Sequence, residues 1–216
     1  MKKLLIFDMD GTVLGTLDDL MDALNYALAR RGYPTHTKEA VRGMVGNGME
    51  KLVERGVPEG VNRGDLEGVM KDFRGYYGEH SADKTAPYPG VVALLDELKK
   101  QGYRLALLSN KADDAVQVLC RRFFPGAFDH IAGEIAGVRR KPAPDGVFRI
   151  LEVMGCQRSE AVYIGDSEVD VATAQNAGLD MITVLWGFRD RETLLAHGAE
   201  HLAATPEEVL EQLETL

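Results

Sequence analysis

The sequence predicts an α/β protein: a doubly wound parallel sheet interrupted, after its first strand, by an all-helical insertion. Three observations predict it. Short apolar runs alternate with helical periods from Pro87 onward, the pattern of a parallel sheet covered by helices. One further apolar run stands at the start of the chain, and residues 16–84 show helical spacing with no convincing strand. A lone parallel strand cannot satisfy its own backbone groups, so the first run belongs with the later ones. The division expected is therefore 1–15 and 85–216 for the sheet domain, with 16–84 as the insertion.

Residues 3–7 form a short apolar run ending at Asp8, the mark of a fully buried strand. Leu17, Leu20, Met21, Leu24 and Leu28 then recur at helical spacing, with Thr16 as N-cap and Gly32 just beyond the end. Val41, Met44 and Val45 before Gly46 give a second helix, and a third follows the Gly46-Asn47-Gly48 junction. Leu66, Val69, Met70, Phe73 and Tyr77 give another. Pro87 and Pro89-Gly90 punctuate the chain. Val91, Leu94, Leu95 and Leu98 mark a helix stopped by Gly102, and strand patterns lie at 104–108, 130–132, 161–164 and 181–184. Helical periods separate them at Val116, Leu119, Cys120 and Phe123, and at Val147, Ile150, Leu151 and Met154.

Composition bounds the function. A chain of 216 residues buries a substantial core, and 45% hydrophobic with 27% charged residues is the balance of a globular protein. The net charge of −9 opposes a surface built for nucleic acid or anionic lipid, leaving small molecules as the expected partners. Met1-Lys2-Lys3 imitates a secretory start, but the apolar run behind it is too short, and no segment has the length of a membrane span. Cys120 and Cys156 lie in apolar-periodic segments and suit reduced thiols. A cytoplasmic location is the expectation.

In open parallel sheets ligands collect beyond the carboxyl ends of the strands. There this sequence places Asp8-Met9-Asp10-Gly11-Thr12, Ser109-Asn110 and Gly165-Asp166-Ser167, with Asp170 one helical turn on and Lys141-Pro142 in the connection after 130–132. Asp8, Asp10, Asp166 and Asp170 around one crevice are costly unless a cation neutralises them. Oxygen ligands without a His or Cys cluster favour magnesium. With a lysine, a hydroxyl and free backbone N–H groups beside it, such a pocket suits a phosphoryl group. Singly, each residue has a plainer reading, as a turn, a cap or a solvated charge; the ordered set does not. His36, His80, His130, His197 and His201 are scattered without metal-ligand spacing.

On these motifs, and on the segment Gly46-Asn47-Gly48, the chain resembles the haloacid dehalogenase superfamily, in its phosphoglycolate-phosphatase-like branch with a helical cap. The resemblance spans essentially the whole chain and implies a Rossmann-like core and a magnesium-dependent phosphatase. It implies Asp8 as nucleophile and metal ligand, Asp10 as general acid and base whose carbonyl reaches the metal, and Asp166 as a metal ligand with Asp170 holding the metal or its waters. Ser109, Asn110 and Lys141 would bind the phosphoryl group. Gly46, Asn47, Gly48 and Arg55 would contribute to substrate choice, with 2-phosphoglycolate favoured. Where the family usually continues with Asp-Ser after the first motif, this chain has Gly15-Thr16, which removes a carboxylate at the hinge into the cap. A sugar phosphomutase of the same superfamily, a pyrophosphatase or nucleotidase, and a receiver-type module are the alternatives. The receiver does not account for the insertion, and a hydrolytic dehalogenase does not account for Asp10. The expected assembly is a monomer or homodimer.

Overall fold

The computed structural model describes residues 2–46 and 48–216. The chain falls into two compact units, Met1–Leu14 with Pro87–Leu216, and Gly15–Ala86. In chain order the elements are β1 (Leu4–Phe7), β2 (Leu14–Gly15), α1 (Leu17–Ala29), α2 (Lys38–Met44), α3 (Gly48–Gly56), α4 (Arg63–His80) and β3 (Ala86–Pro87). There follow α5 (Val91–Lys100), β4 (Arg104–Ala112), α6 (Asp113–Phe123), β5 (His130–Glu134), α7 (Asp145–Met154), β6 (Ala161–Gly165), α8 (Glu168–Ala177), β7 (Asp180–Val184), α9 (Arg191–Ala196), β8 (His201–Ala203) and α10 (Pro206–Leu213).

The first unit is a six-stranded sheet in the order β5-β4-β1-β6-β7-β8, with every pairing parallel. β1 lies inside it, paired on both edges with β4 and β6, and its side chains are buried on both faces. That placement explains the unbroken apolar run Leu4-Leu5-Ile6-Phe7, in which no residue is more than 1% exposed. On one side of the sheet Leu4, Ile6, Ala106, Leu108, Tyr163, Val147, Ile150, Leu151, Ala174 and Ala177 form one apolar cluster. Each large side chain so buried contributes roughly 1.5–3 kcal/mol. Because β4 and β6 flank β1 and the connections leave it in opposite directions, the carboxyl end of β1 opens on the crevice where ligands collect in such sheets.

The expected strands are present, several of them longer than their apolar runs. β4 continues to Ala112 rather than ending at residue 108, so Ser109 and Asn110 lie within the strand. An irregular register between Leu108 and Ala112 lets it resume pairing with β5 at Glu134. Three elements of the second half, β8, α9 and α10, were not anticipated, and α8 was expected only as the helical turn that carries Asp170. α8 is buried on Val169, Asp170, Val171, Thr173, Ala174 and Ala177 and so lacks a one-sided apolar stripe. β8 has three residues, too few to show a pattern, and α9 and α10 are short.

In the helical unit α1 presents Leu17, Leu20, Ala23, Leu24, Ala27 and Leu28 to the interior, and α4 presents Val69, Phe73 and Tyr77. α3 comes close to α1 at Gly56, where a Cβ would stand 2.9 Å from two Leu24 methyl carbons. Thr16 occupies the N-cap position of α1, but its backbone is already helical and its hydroxyl makes no capping bond. Asp18 and Asp19 in the first turn supply the negative charge that end of a helix favours.

Candidate active site

The polar residues at the strand ends converge. Asp8 follows β1 directly and is 7% exposed, while Asp166 and Asp170, after β6 and in α8, are 1% and 0% exposed. One oxygen from each of the three lies within 4.8 Å of the others. Lys141, also buried, sits among them. Its Nζ donates to Asp8 Oδ1 at 2.7 Å, to Asp170 Oδ1 at 2.8 Å and to the Tyr163 hydroxyl at 3.1 Å.

Local structure fixes this lysine from two directions. Its main chain is clamped by Asn110, whose Nδ2 donates to Lys141 O at 3.0 Å and whose Oδ1 accepts from Lys141 N at 2.9 Å. The Lys141-Pro142 bond is cis, and Asn176 Nδ2 donates to Pro142 O. Its ammonium is held by Asp170, whose other oxygen accepts from Ser167 N at 3.1 Å and Ser167 Oγ at 2.6 Å. Ser167 and Asp170 thereby cap α8 reciprocally. Both oxygens of Asp170 are thus engaged, and the Asn110 side chain is engaged on backbone.

Asp10 has a cation of its own: Lys111 Nζ stands 3.0 Å from Asp10 Oδ1, an ion pair without hydrogen-bond alignment. Ser109 Oγ accepts from Lys111 N at 3.1 Å. Thr12 Oγ1 donates to Asp166 Oδ1 at 3.1 Å, and Phe188 N donates to Asp166 Oδ2 at 2.7 Å. Gly46 and Gly48 lie in the helical unit with positive φ, at 120° and 87°. Arg55 Nη1 there donates to Met44 O at 2.7 Å and Gly46 O at 3.2 Å, closing the end of α2. Asn47 lies outside the described residues.

Burial, then the charge of Asp170, pushes the Asp8 carboxyl well above the usual carboxylate range, against the opposing pull of Lys141. Burial and Asp170 likewise raise Asp166 to about 7, although the Phe188 N–H and the Thr12 hydroxyl favour its anion. Burial alone would discharge Lys141; Asp170 and Asp8 together reverse this and hold it firmly charged. Three buried carboxylates, Asp8, Asp166 and Asp170, therefore surround one ammonium group, Lys141, while Asp10, which the sequence placed in the same cluster, pairs separately with Lys111. The imbalance is the charge of one divalent cation, and the donors are hard oxygens. The residues present fit magnesium.

Lys111, Thr12, Tyr163 and the turn after β7 were not singled out from the sequence. Lys111 had a signal, a lysine directly after Ser109-Asn110 on the same strand. Tyr163 had a weaker one, since a tyrosine in a buried strand needs a partner for its hydroxyl.

The comparisons with known proteins agree with this geometry. A haloacid dehalogenase-like hydrolase family profile matches residues 5–184. The phosphoglycolate phosphatase of Pseudomonas putida is 31% identical over 220 residues, covering 99% of this chain and 78% of that protein. The crystal structure of a candidate phosphoglycolate phosphatase from Lactobacillus delbrueckii subsp. bulgaricus superposes with a TM-score of 0.93 at 40% identity, over 98% of both chains. CbbY from Rhodobacter sphaeroides, solved in complex with phosphate, gives a TM-score of 0.77 at 27% identity, over 99% of this chain and 100% of that one. With the motifs, the parallel sheet and the acidic crevice all in agreement, the chain belongs to the haloacid dehalogenase-like hydrolases.

Proposed function

We propose that this protein is a magnesium-dependent phosphatase that hydrolyses a small phosphomonoester through an aspartyl-phosphate on Asp8, with 2-phosphoglycolate as the favoured substrate. One observation carries the reading: Asp8 stands at the tip of β1, buried, with Lys141 Nζ 2.7 Å from one of its oxygens, and the loop it opens also presents Asp10. A carboxylate so placed is a nucleophile with a cation beside it to receive phosphoryl oxygens.

In the reaction a carboxylate oxygen of Asp8 attacks phosphorus in line as the ester P–O bond breaks. The protonated Asp10 carboxyl gives its proton to the departing alkoxide, and the acyl phosphate remains on Asp8. Asp10 then removes a proton from water, which attacks phosphorus, and the Asp8 carboxylate leaves. Each residue returns to its starting state. Ser109 and Lys141 hold phosphoryl oxygens, and Asn110 and Asp170 hold Lys141 in place. Asp8, the Asp10 carbonyl and Asp166, with Asp170 supporting, would hold magnesium, which would supply charge neutralisation for the incoming phosphate dianion.

The helical unit is assigned to the cap, which excludes water and chooses among substrates. Gly46, Asn47, Gly48 and Arg55 are its proposed contacts for a substrate carboxylate. The names of the Pseudomonas and Lactobacillus proteins support phosphoglycolate, and the phosphate bound to CbbY supports phosphoryl chemistry. A screen of phosphomonoesters with and without magnesium tests the reading. The expected result is magnesium-dependent phosphate release, greatest in kcat/KM for 2-phosphoglycolate. A sugar phosphate, a nucleotide or pyrophosphate winning by an order of magnitude rejects the substrate, and no release from any compound rejects the phosphatase.

A further inference from the structure

The Asp166 carboxylate lies in a slot built by residues that no role above accounts for. On one side is Gly11, with φ +92°, where a Cβ would stand 2.2 Å from Asp166 Oδ2. On the other is Gly187, where a Cβ would stand 2.3 Å from Asp166 Cβ, 2.4 Å from Asp166 Oδ2 and 2.5 Å from Gly11 O. A side chain at residue 187 and the Asp166 carboxylate thus claim the same space. The residues on either side of Gly187 complete the slot. Phe188 N donates to Asp166 Oδ2 at 2.7 Å, and Trp186 Nε1 donates to Thr12 O at 2.9 Å. Thr12 in turn holds the other Asp166 oxygen at 3.1 Å.

The turn at 186–188 therefore ties two loops together, the one that carries Asp8 and Asp10 and the one that carries Asp166. Among the described residues, the Thr12 hydroxyl donates to one Asp166 oxygen and the Phe188 N–H to the other, and since a carboxylate oxygen offers two lone pairs, these bonds orient the group while a cation can share it. We propose that the turn Trp186-Gly187-Phe188 is a positioning element for divalent-cation binding, and that Gly187 is required because only a residue without a side chain leaves Asp166 its place. This rests on the magnesium-dependent reading above. Orienting partners of ligands commonly change metal affinity by about 10–100-fold when lost.

Trp186 is the only tryptophan in the chain, so its emission reports on this turn without any substrate. The test is magnesium binding to the whole protein, followed by calorimetry and by tryptophan emission, for the unsubstituted chain and for Gly187→Ala and Trp186→Phe, the latter read by calorimetry alone. Thr12→Val is the additional variant that keeps the test standing if Gly187→Ala fails to fold, and circular dichroism verifies each fold. Magnesium should perturb the emission of the unsubstituted chain, and its dissociation constant should rise about tenfold or more in Gly187→Ala and severalfold in Trp186→Phe and Thr12→Val. Folded variants that bind magnesium as tightly as the unsubstituted chain overturn the positioning role while leaving the phosphatase reading intact. An unsubstituted chain that binds no magnesium overturns the metal assignment itself, and the inference with it.

Discussion

Lys141 and Lys111 divide the cationic work between the two aspartates of the first loop. Lys141 is pinned at both ends, by Asn110 on its backbone and Asp170 on its ammonium, and it faces Asp8. Lys111 faces Asp10. Lys111 approaches Asp10 Oδ1 without a hydrogen bond, and in the proposed mechanism Asp10 is the residue that carries the proton. The division gives Asp10 a specific signature. Asp10→Asn should slow an alkyl phosphomonoester by about 10²–10⁴-fold and an activated aryl phosphate much less, because a good leaving group needs little protonation. Steady-state rates on the two substrates decide it, and equal losses would show that Asp10 acts otherwise. The acidic half of the site was legible in the sequence because several carboxylates, in order at the ends of successive apolar runs, have no joint structural reading, although each singly does. Its supporting half was not. Thr12 and Lys111 read as ordinary neighbours of a motif, and Trp186 and Gly187 as loop, until the fold sets them against Asp166 and Asp10.

Among the elements, the helical unit is closed by one buried carboxylate. Asp19, in the first turn of α1 and 2% exposed, accepts from Lys84 N at 3.0 and 3.2 Å and from Thr85 N at 2.8 Å. It thus ties the start of the unit to its end, 65 residues later. Asp19→Ala leaves these N–H groups unpaired, and the unit's unfolding free energy should fall by about 2–4 kcal/mol, with Asp19→Asn between. Urea denaturation followed by circular dichroism measures this, and a change within about 0.5 kcal/mol would contradict it. From the sequence, Asp18-Asp19 is indistinguishable from any acidic first turn, because the partner backbone is distant in the chain. Helices with a one-sided stripe, such as α1, α4 and α5, were visible in the same residues that their packing buries. α8 was visible only as the helical turn from Asp166 to Asp170, since it is buried on several faces and shows no one-sided stripe.

At the scale of the molecule, the acidic pocket ties stability to pH and, under the proposed magnesium reading, to metal as well. Asp166 is raised to about 7 by burial and by Asp170. In the metal-free protein the folded state therefore keeps a proton that the unfolded chain has lost between about pH 4 and pH 7, so stability falls as pH rises through that window. Asp8, also raised, acts in the same direction. Asp145, Glu160, Glu168 and Glu207 are lowered instead, and above about pH 5 they are ionised in both states and drop out. Under the proposed reading magnesium would take the place of the proton, so the rise in melting temperature on adding it should be larger at about pH 7.5 than at about pH 5.5. Thermal scans with magnesium and with chelator test this, and an equal or reversed increment would contradict it. The central claim is that Asp8 is the nucleophile of a metal-dependent phosphatase, and one measurement addresses it directly: phosphate release from 2-phosphoglycolate by the unsubstituted chain and by Asp8→Asn, each with magnesium and with excess chelator. The account predicts release by the unsubstituted chain only with magnesium, and a loss of at least about a thousandfold in a folded Asp8→Asn preparation free of deamidation; full activity in chelator, or substantial release by that variant, would contradict it.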